Sequence, residues 1–315
     1  MKIGIVGSGM VGSTAAYAML MSAVGREIIL VDKNSKRAEA EAFDLTHAVP
    51  FAYPLNIKSG SYADLEGCKI VIIAAGVSQK PGETRLDLLK RNALVFKEVT
   101  GRILDNAPEA ILVIATNPLD IMTSLADYYA SQKGIKPGRV FGTGTMLDTA
   151  RFRTLLAQYT GVDSKHIHGY VLGEHGDSEV LTWSLVTVGV MKLDDFCEFK
   201  NISMGEKEKT DIDNRVRNAA YEIIEGKGAT YYGIGSAIAK IVDVVLHDQR
   251  SVLTVSVPVT SDAGSLRVST SMPYIIGGEG IISGLPLKLS EQEANWFKQS
   301  KKTTAAAMEG LESFL

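Results

Sequence analysis

Apolar and polar positions follow two alternating patterns in the first half of the chain. Short, β-branched apolar runs predict strands at residues 2–6, 27–31, 69–74 and 110–115. Between them, apolar residues recur every three or four positions and predict helices, for example at 12–22, 35–45 and 83–104. Because such strands are apolar throughout, they indicate a parallel sheet that is covered on both faces. We therefore predict an α/β, doubly wound fold whose ligands bind beyond the carboxyl ends of the strands.

The pattern changes near residue 143, where longer helical blocks begin to dominate. These blocks lie at 148–160, 206–226, 230–247 and 290–315. The last opens on the capping box Ser290-x-x-Glu293. β-like runs lie between the helical blocks, at 166–173, 252–259 and 266–272. We predict a first domain of residues 1–142 and an α+β second domain of residues 143–315, packed around a shared cleft.

Composition and charge narrow the classes of partner. The 315 residues are 45% apolar and 22% charged, and a net charge of −3 gives no reason to expect nucleic acid or an acidic membrane. No apolar run approaches the roughly 18 residues of a membrane span, and the first residues read as a strand rather than a signal peptide. Cys68 and Cys197 lie too far apart in sequence to suggest a disulfide framework. We expect both cysteines in the core of a cytoplasmic protein.

A glycine motif connects the first predicted strand to the first helix. Gly7 permits a tight turn, Gly9 lets the backbone approach a pyrophosphate, and Gly12 lets helix and strand pack closely. Asp32 ends the second strand about 20 residues later, where its carboxylate can accept hydrogen bonds from an adenosine ribose and repel a 2′-phosphate. The sequence therefore predicts a Rossmann-type domain that binds NAD in preference to NADP.

The second half contains a histidine in a glycine-bounded turn, His175 in GEHGDS. Such a histidine is either a general acid/base or an ordinary loop residue, and the motif alone does not decide. Zinc binding by His166, His168 and His175 is a further alternative, although a tetrahedral site still lacks an obvious set of partners.

A predicted helix offers partners for a catalytic histidine. Asp148 and Arg151 are three residues apart and so lie on one helix face. They can form a simple i,i+3 ion pair. Alternatively, Asp148 holds and charges an imidazole while Arg151 grips a substrate carboxylate with its planar guanidinium.

Six motifs spread over essentially the whole chain belong together. They read GSGMVG, AGVSQKPGETRLDLLKRN, ATNPLD, GTGTMLDTARFR, GEHGDS and KGATYYGIG. In combination the chain resembles the bacterial-type L-lactate dehydrogenases of the lactate/malate dehydrogenase superfamily. The resemblance implies NAD-dependent interconversion of pyruvate and L-lactate. It also implies a cytoplasmic homo-oligomer, expected to be a tetramer, that serves glycolysis and fermentation.

The resemblance also assigns roles to individual residues. It makes His175 the proton donor, Asp148 its carboxylate partner and Arg151 the binder of the substrate carboxylate. It places Arg85 at the ketone oxygen, Asn117 near the nicotinamide and Thr230 in the wall of the substrate pocket. The expected cofactor-binding residues are Gly7, Gly9, Met10, Val11, Gly12, Asp32, Ala75, Gly76 and Asn117. No metal is expected.

The segment 76–85 is interpreted as a lid that carries Gln79 and Arg85 over the substrate. Malate enzymes are expected to have arginine at the position of Gln79, so this neutral residue selects against dicarboxylates. The alternatives are a malate dehydrogenase, a dehydrogenase of larger 2-hydroxy acids, and a non-catalytic dinucleotide-binding protein. The last would not be expected to retain His175, Asp148 and Arg151 together.

Two further expectations concern regulation and one unfamiliar segment. Arg153 and His168 match positions that bind fructose bisphosphate between subunits in allosteric bacterial members of the family, so the sequence leaves activation by this effector open. Residues 258–289 depart from the family pattern, which leaves the local turn geometry and subunit contacts open.

Overall fold

The structure of the protein is a computed structural model that describes residues 1–77, 82, 85–259, 267–309 and 311. At residues 85 and 86 it describes the backbone alone. The elements up to residue 142 are β1 (Lys2–Val6), α1 (Met10–Met21), β2 (Glu27–Val31), α2 (Ser35–Ala48), β3 (Asn56–Ser59), β4 (Ile70–Ile73), α3 (Arg85–Asn106), β5 (Ile111–Ile114), α4 (Leu119–Gln132) and β6 (Val140–Gly142).

The remaining elements mix helices with short strands. They are α5 (Met146–Thr160), β7 (Ile167–His168), β8 (Val171–Leu172), β9 (Val180–Leu181), β10 (Thr187–Val188), β11 (Met191–Lys192), α6 (Leu193–Lys200), α7 (Glu206–Lys227), α8 (Tyr232–Leu246), β12 (Ser251–Val259), β13 (Val268–Gly277), β14 (Gly280–Gly284) and α9 (Glu291–Glu309).

Nine of the described strands form one sheet in the order β14-β13-β12-β6-β5-β4-β1-β2-β3. The strands from β3 to β6 pair in parallel, with β1 between β2 and β4. The strand order therefore reverses at β1, and the crevice beyond the carboxyl ends of β1 and β4 is where such sheets bind ligands. The predicted doubly wound fold is confirmed.

The C-terminal half extends this sheet with antiparallel strands. Ser256 of β12 pairs with Gly142 of β6, and β13 and β14 follow as a meander. Strands from both sides of residue 143 therefore share one sheet. The departing segment 258–289 contributes the end of β12, all of β13 and β14, and a part, residues 260–266, that lies outside the described residues.

Helices cover both faces of the sheet and close two apolar cores. On one face α1, α2 and α8 pack with side chains such as Met19 and Ile241, and on the other α3 and α4 pack with Phe96 and Met122. A third cluster around Phe152 joins α5, α6 and α7 to the short strands β7–β10. This third cluster supports the turn that carries His175.

Most predicted elements form close to their expected positions. The run 166–173 differs, because it divides into β7 and β8, which belong to separate small sheets. The capping box at the start of α9 is confirmed, since Ser290 and Glu293 exchange hydrogen bonds. Cys68 and Cys197 are buried free thiols, as predicted. Among the described residues, no helix is both long and apolar enough to cross a membrane.

Candidate active site

The glycine turn between β1 and α1 has the shape that the motif predicts. Gly7 has φ +102°, and a Cβ there would stand 2.5 Å from the backbone nitrogen of Ala75. A Cβ on Gly12 would stand 2.0 Å from the carbonyl oxygen of Gly7. At Gly9, by contrast, no described atom lies within 4 Å of the Cβ position, so the backbone is open to a ligand. Two glycines are required by packing and the third leaves space for a phosphate.

Asp32 lies at the end of β2, beside this turn. Its Oδ2 accepts hydrogen bonds from the backbone nitrogen of Ser8 at 2.8 Å and from the Ser8 hydroxyl at 3.1 Å. Its Oδ1 accepts one from the backbone nitrogen of Asn34 at 2.9 Å. These bonds fix the carboxylate at the carboxyl end of the strand, where an adenosine ribose is recognised in such folds.

The other predicted cofactor residues lie along the same edge of the sheet. Met10 is exposed and Val11 half-buried in the first turn of α1, while Ala75 and Gly76 follow β4. The Thr116 hydroxyl donates to the carbonyl of Ala75 at 2.8 Å, which joins the ends of β4 and β5. Asn117 comes next and is exposed. The structure therefore brings all the predicted cofactor residues to one crevice.

His175, Asp148 and Arg151 form one contiguous cluster. Asp148 is buried, and its Oδ2 lies 2.6 Å from Nδ1 of His175. Its Oδ1 accepts a hydrogen bond from Nη1 of Arg151 at 2.8 Å. The i,i+3 ion pair predicted from the Asp148–Arg151 spacing is present, and the same carboxylate also contacts the imidazole. Since a carboxylate only accepts hydrogen bonds, Nδ1 carries the proton and Nε2 remains for another partner.

The ionisation of this cluster follows from burial and from the charges within it. Burial works to lower the pKa of His175, but the Asp148 carboxylate outweighs burial and raises the pKa to about 9. Burial works to raise the pKa of Asp148, but the positive charges of His175 and Arg151 hold it below its usual range. The stable arrangement at neutral pH is therefore an imidazolium beside a carboxylate, with a proton ready for transfer.

The turn that carries His175, residues 173–179, is held by helices on several sides. Asp120 of α4 accepts a hydrogen bond from the backbone nitrogen of His175 at 2.8 Å. Ser300 of α9 accepts one from the backbone nitrogen of Glu174 at 2.7 Å. Arg217 of α7 donates to the carbonyl oxygen of Asp177 at 2.7 Å. These contacts fix the backbone on which the imidazole stands.

Two buried acids near His175 were not predicted from the sequence. Asp120 lies within the ATNPLD motif, and burial raises its pKa to about 6 although Ser256 and the His175 amide donate to it. Glu179 directly precedes β9 and is 4% exposed. Asp120 could have been predicted from the sequence, because it is the one charged residue among the apolar residues that begin α4. Glu179 gives no such signal in the sequence.

A cavity of about 410 Å³ lies beside His175. Pro118 and Leu119, which directly follow Asn117, line it from one side, and Thr303 and Ala307 of α9 line it from another. The His175 side chain is 24% exposed, and His175 lines this cavity. Thr230 is half-buried in the connection between α7 and α8.

The two residues expected on the lid cannot be placed in this site. Gln79 lies outside the described residues, and Arg85 is described only as the first residue of α3, without its side chain. Their predicted roles stay predictions.

The residues predicted to bind fructose bisphosphate lie next to each other. Arg153 donates from Nε to the carbonyl oxygen of Gly169 at 3.0 Å, and its guanidinium carbon lies 5.1 Å from the centre of the Tyr170 ring. His168 precedes Gly169 and is exposed on β7. Arg153, which is half-buried, is therefore bonded to the residue that follows the exposed His168.

The three histidines of the zinc alternative do not meet as ligands. His168 pairs with Thr187 in the β7–β10 ladder, whereas His175 contacts Asp148. Among the residues that the structure describes, no group of three or more His, Cys, Asp or Glu side chains is placed to hold a metal ion.

Comparison with known proteins agrees with this geometry. Residues 1–142 match the lactate/malate dehydrogenase NAD binding domain, and residues 145–315 match the alpha/beta C-terminal domain of the same family. The L-lactate dehydrogenase of Geotalea daltonii is 52% identical over 99% of each chain. That of Thermus aquaticus is 50% identical over 100% of this chain and 99% of its own.

Solved structures show the same similarity. The minor L-lactate dehydrogenase of Enterococcus mundtii superposes with a TM-score of 0.93 at 39% identity, covering 99% of this chain and 98% of its own. MGS-M5, a lactate dehydrogenase from a deep-sea metagenome library, also gives 0.93, at 37% identity over 98% of each chain.

The fold and the cofactor crevice define an NAD-dependent oxidoreductase. The chain belongs to the lactate/malate dehydrogenase family. Its cofactor is NAD, and the open backbone at Gly9 together with the fixed carboxylate of Asp32 fits the pyrophosphate and the ribose of that molecule.

Proposed function

We propose that the chain is an L-lactate dehydrogenase that interconverts pyruvate and L-lactate. The observation that carries this proposal is the contact of Asp148 with both His175 and Arg151. The buried Asp148 carboxylate holds both an acid/base, His175, and a cation, Arg151. Reduction of a 2-oxo acid needs both groups, one to protonate the carbonyl oxygen and one to bind the carboxylate. Relatives that are 50% and 52% identical over nearly their whole length are named L-lactate dehydrogenase, which supports the choice.

His175 handles the proton in both directions. NAD, when bound, accepts or supplies the hydride, and negative charge develops on the carbonyl oxygen as pyruvate is reduced. The imidazolium donates its Nε2 proton to that oxygen, while Asp148 holds Nδ1 and stabilises the charged ring. Lactate oxidation requires the neutral imidazole, which takes the hydroxyl proton at the same atom.

Arg151 binds the carboxylate that pyruvate and lactate share. A guanidinium has five N–H donors, and the contact with Asp148 engages Nη1. The remaining donors suit a planar carboxylate, so the substrate is oriented with its reacting carbon near His175. Gly7, Gly9, Gly12 and Asp32 would hold NAD at the edge of the sheet.

The remaining site residues are proposed from the resemblance. Arg85 polarises the carbonyl oxygen from the lid, Asn117 lies near the nicotinamide, and Thr230 forms part of the pocket wall. Gln79 faces the substrate side group and discriminates against a second carboxylate, because an unpaired buried charge costs about 2–5 kcal/mol.

Replacing Gln79 with arginine is expected to shift preference toward oxaloacetate. The added cation would pair with the second carboxylate, and the ratio of kcat/KM for oxaloacetate to that for pyruvate should rise by at least about tenfold, or 1.4 kcal/mol. Steady-state kinetics with both substrates measure this ratio. An unchanged ratio would contradict the role assigned to Gln79.

The chain is further proposed to form a cytoplasmic homotetramer that works in glycolysis and fermentation. Its halves, residues 1–142 and 143–315, are proposed to act as cofactor and substrate domains. Fructose bisphosphate is proposed to activate it at Arg153 and His168, because phosphate groups suit an arginine beside a titratable imidazole.

Pyruvate saturation curves with and without fructose bisphosphate test the regulatory part. The effector should lower KM for pyruvate, and His168→Asn should weaken that response without changing the curve recorded in its absence. Superimposable curves for the unmodified protein would remove the regulatory proposal and leave the catalytic one intact.

A second candidate function is reduction of larger 2-oxo acids. The cavity beside His175 is lined by the small side chains Thr303, Ala306 and Ala307, which favour room for a longer substrate. Oxidation of NADH should be compared with pyruvate, oxaloacetate and branched 2-oxo acids. The highest kcat/KM is expected with pyruvate, and a higher value with any other substrate would overturn the assignment.

A further inference from the structure

Glu179 is a buried acid that the reaction does not use. It is 4% exposed, and its Oε1 is buried without a hydrogen-bond partner among the described residues. An unpartnered buried polar atom costs free energy, so its presence calls for an explanation.

Glu179 lies on the same turn as His175. It ends the turn that carries His175, and its backbone nitrogen donates to the carbonyl oxygen of Gly176 at 3.1 Å. Val180, the next residue, pairs with Leu172 and so closes the β8–β9 hairpin beneath the turn. His175 and Glu179 therefore stand on one short, rigid loop.

Charged groups of two helices and of the turn act on the carboxyl group of Glu179. They are Asp148 and Arg151 of α5, His175 of the turn and Arg217 of α7. Asp213 of α7 and Glu293 of α9 line the same cavity as Glu179. Arg217 is bonded to Asp213 at 2.7 Å and also donates to the turn at Asp177. Glu179 thus lies between the catalytic cluster and a cavity of about 640 Å³ that Arg217 and Glu293 line.

Burial and the Asp148 carboxylate raise the pKa of Glu179 to about 8, although Arg217, His175 and Arg151 work to lower it. Burial therefore favours the neutral carboxyl group at neutral pH, and the carboxylate forms in alkaline solution. The negative charge of Glu179 then stabilises the imidazolium of His175, as the charge of Asp148 does.

We propose that Glu179 is a positioning residue that works by charge, strengthening the hold of His175 on its proton in alkaline solution. This inference rests on the proposed function, because it concerns the proton that the dehydrogenase transfers. In a neutral medium Glu179 adds no charge to the site. As the pH rises its carboxylate forms and delays the deprotonation of the imidazole, which extends the range in which pyruvate is reduced.

Replacing Glu179 with glutamine tests the inference, since the two side chains have nearly the same shape. Two pH midpoints report the ionisation of His175: the alkaline limb of kcat/KM for pyruvate and the acid limb of kcat/KM for lactate. Both should move toward lower pH, by a few tenths of a unit to about one unit. A packing defect would lower the rates without moving the midpoints. Glu179→Met, which is also neutral and of similar length, should give the same displacement.

Glu293 provides a matched control. It is also 4% exposed and lines the same cavity, but it accepts hydrogen bonds from Ser184 and Ser290. Glu293→Gln should leave both midpoints in place. Midpoints of Glu179→Gln within about 0.1 unit of those of the unmodified enzyme would overturn the inference, as would an equal displacement in the control.

Thermal unfolding provides a readout that does not depend on turnover. Because the folded protein holds the Glu179 proton more tightly than the unfolded chain, this group makes stability fall as the pH rises from 4.5 to about 8. Glu179→Gln removes this loss, so its Tm should exceed that of the unmodified protein by a margin that grows across this range. A margin independent of pH would overturn the neutral state assigned to Glu179. An unmodified protein without lactate dehydrogenase activity would instead overturn the proposed function.

Discussion

Replacing His175 with glutamine is expected to lower kcat for pyruvate reduction by about 10²- to 10⁴-fold, the range that general acid catalysis contributes. Glutamine retains a polar side chain of similar reach but has no proton to transfer near neutral pH. Stopped-flow or steady-state oxidation of NADH measures the loss. Binding of NADH, followed by its fluorescence, should remain, because the cofactor crevice lies at the glycine turn and Asp32.

His247 provides the control for this substitution. It also pairs through Nδ1 with an aspartate, Asp243 at 2.9 Å, but it lies half-exposed at the end of α8. His247→Gln should keep kcat near that of the unmodified protein. An unchanged kcat in His175→Gln, or an equal decrease in both variants, would contradict the role of His175 as the proton donor.

Replacing Asp148 with asparagine is expected to lower kcat/KM for pyruvate at pH 8 by roughly 10²- to 10³-fold. The carboxylate raises the pKa of His175 to about 9 against the effect of burial. Without it the pKa returns to the ordinary 6.5 or below, so the protonated fraction at pH 8 falls from about 0.9 to about 0.03. This alone gives a factor of about 30, and the lost orientation of the ring accounts for the rest.

The loss of activity in Asp148→Asn should grow as the pH rises. Reduction needs the imidazolium, so the activity of the unmodified enzyme declines as the pH rises through about 9, and that of Asp148→Asn declines near pH 6.5. The ratio of the unmodified enzyme's kcat/KM to that of Asp148→Asn should therefore be roughly 20 times smaller at pH 6 than at pH 8. Asp127, another buried aspartate, pairs with Arg267 at 2.7 Å, and Asp127→Asn should not move the profile. A ratio that stays constant between pH 6 and 8 would contradict the electrostatic role of Asp148.

The strands and amphipathic helices of the first half are readable from the sequence because their patterns are periodic. Helix α4 is the exception, and its burial explains why. Leu119, Asp120, Ile121, Met122 and Thr123 are all buried, so apolar and polar residues occur without a helical period. The division of 166–173 into two strands also has no local signal, since it depends on which strands lie alongside.

The candidate site could be predicted only as far as its motifs extend. His175, Asp148 and Arg151 stand in recognisable segments, and the structure brings them into contact. The sharing of one carboxylate between imidazole and guanidinium depends on how α5 packs against the β8–β9 turn. Glu179 was missed for the same reason, because its importance comes from burial beside charges that are distant in sequence.

The pairing of β12 with β6 has a consequence for how the chain can be divided. A fragment ending at residue 142 would leave β6 as an open edge with unpaired backbone groups, and such an edge recruits strands from other molecules. The complementary fragment would leave β12 without its inner neighbour. The two halves of the sequence therefore depend on each other to complete the sheet, and a fragment that lacks either half is expected to aggregate.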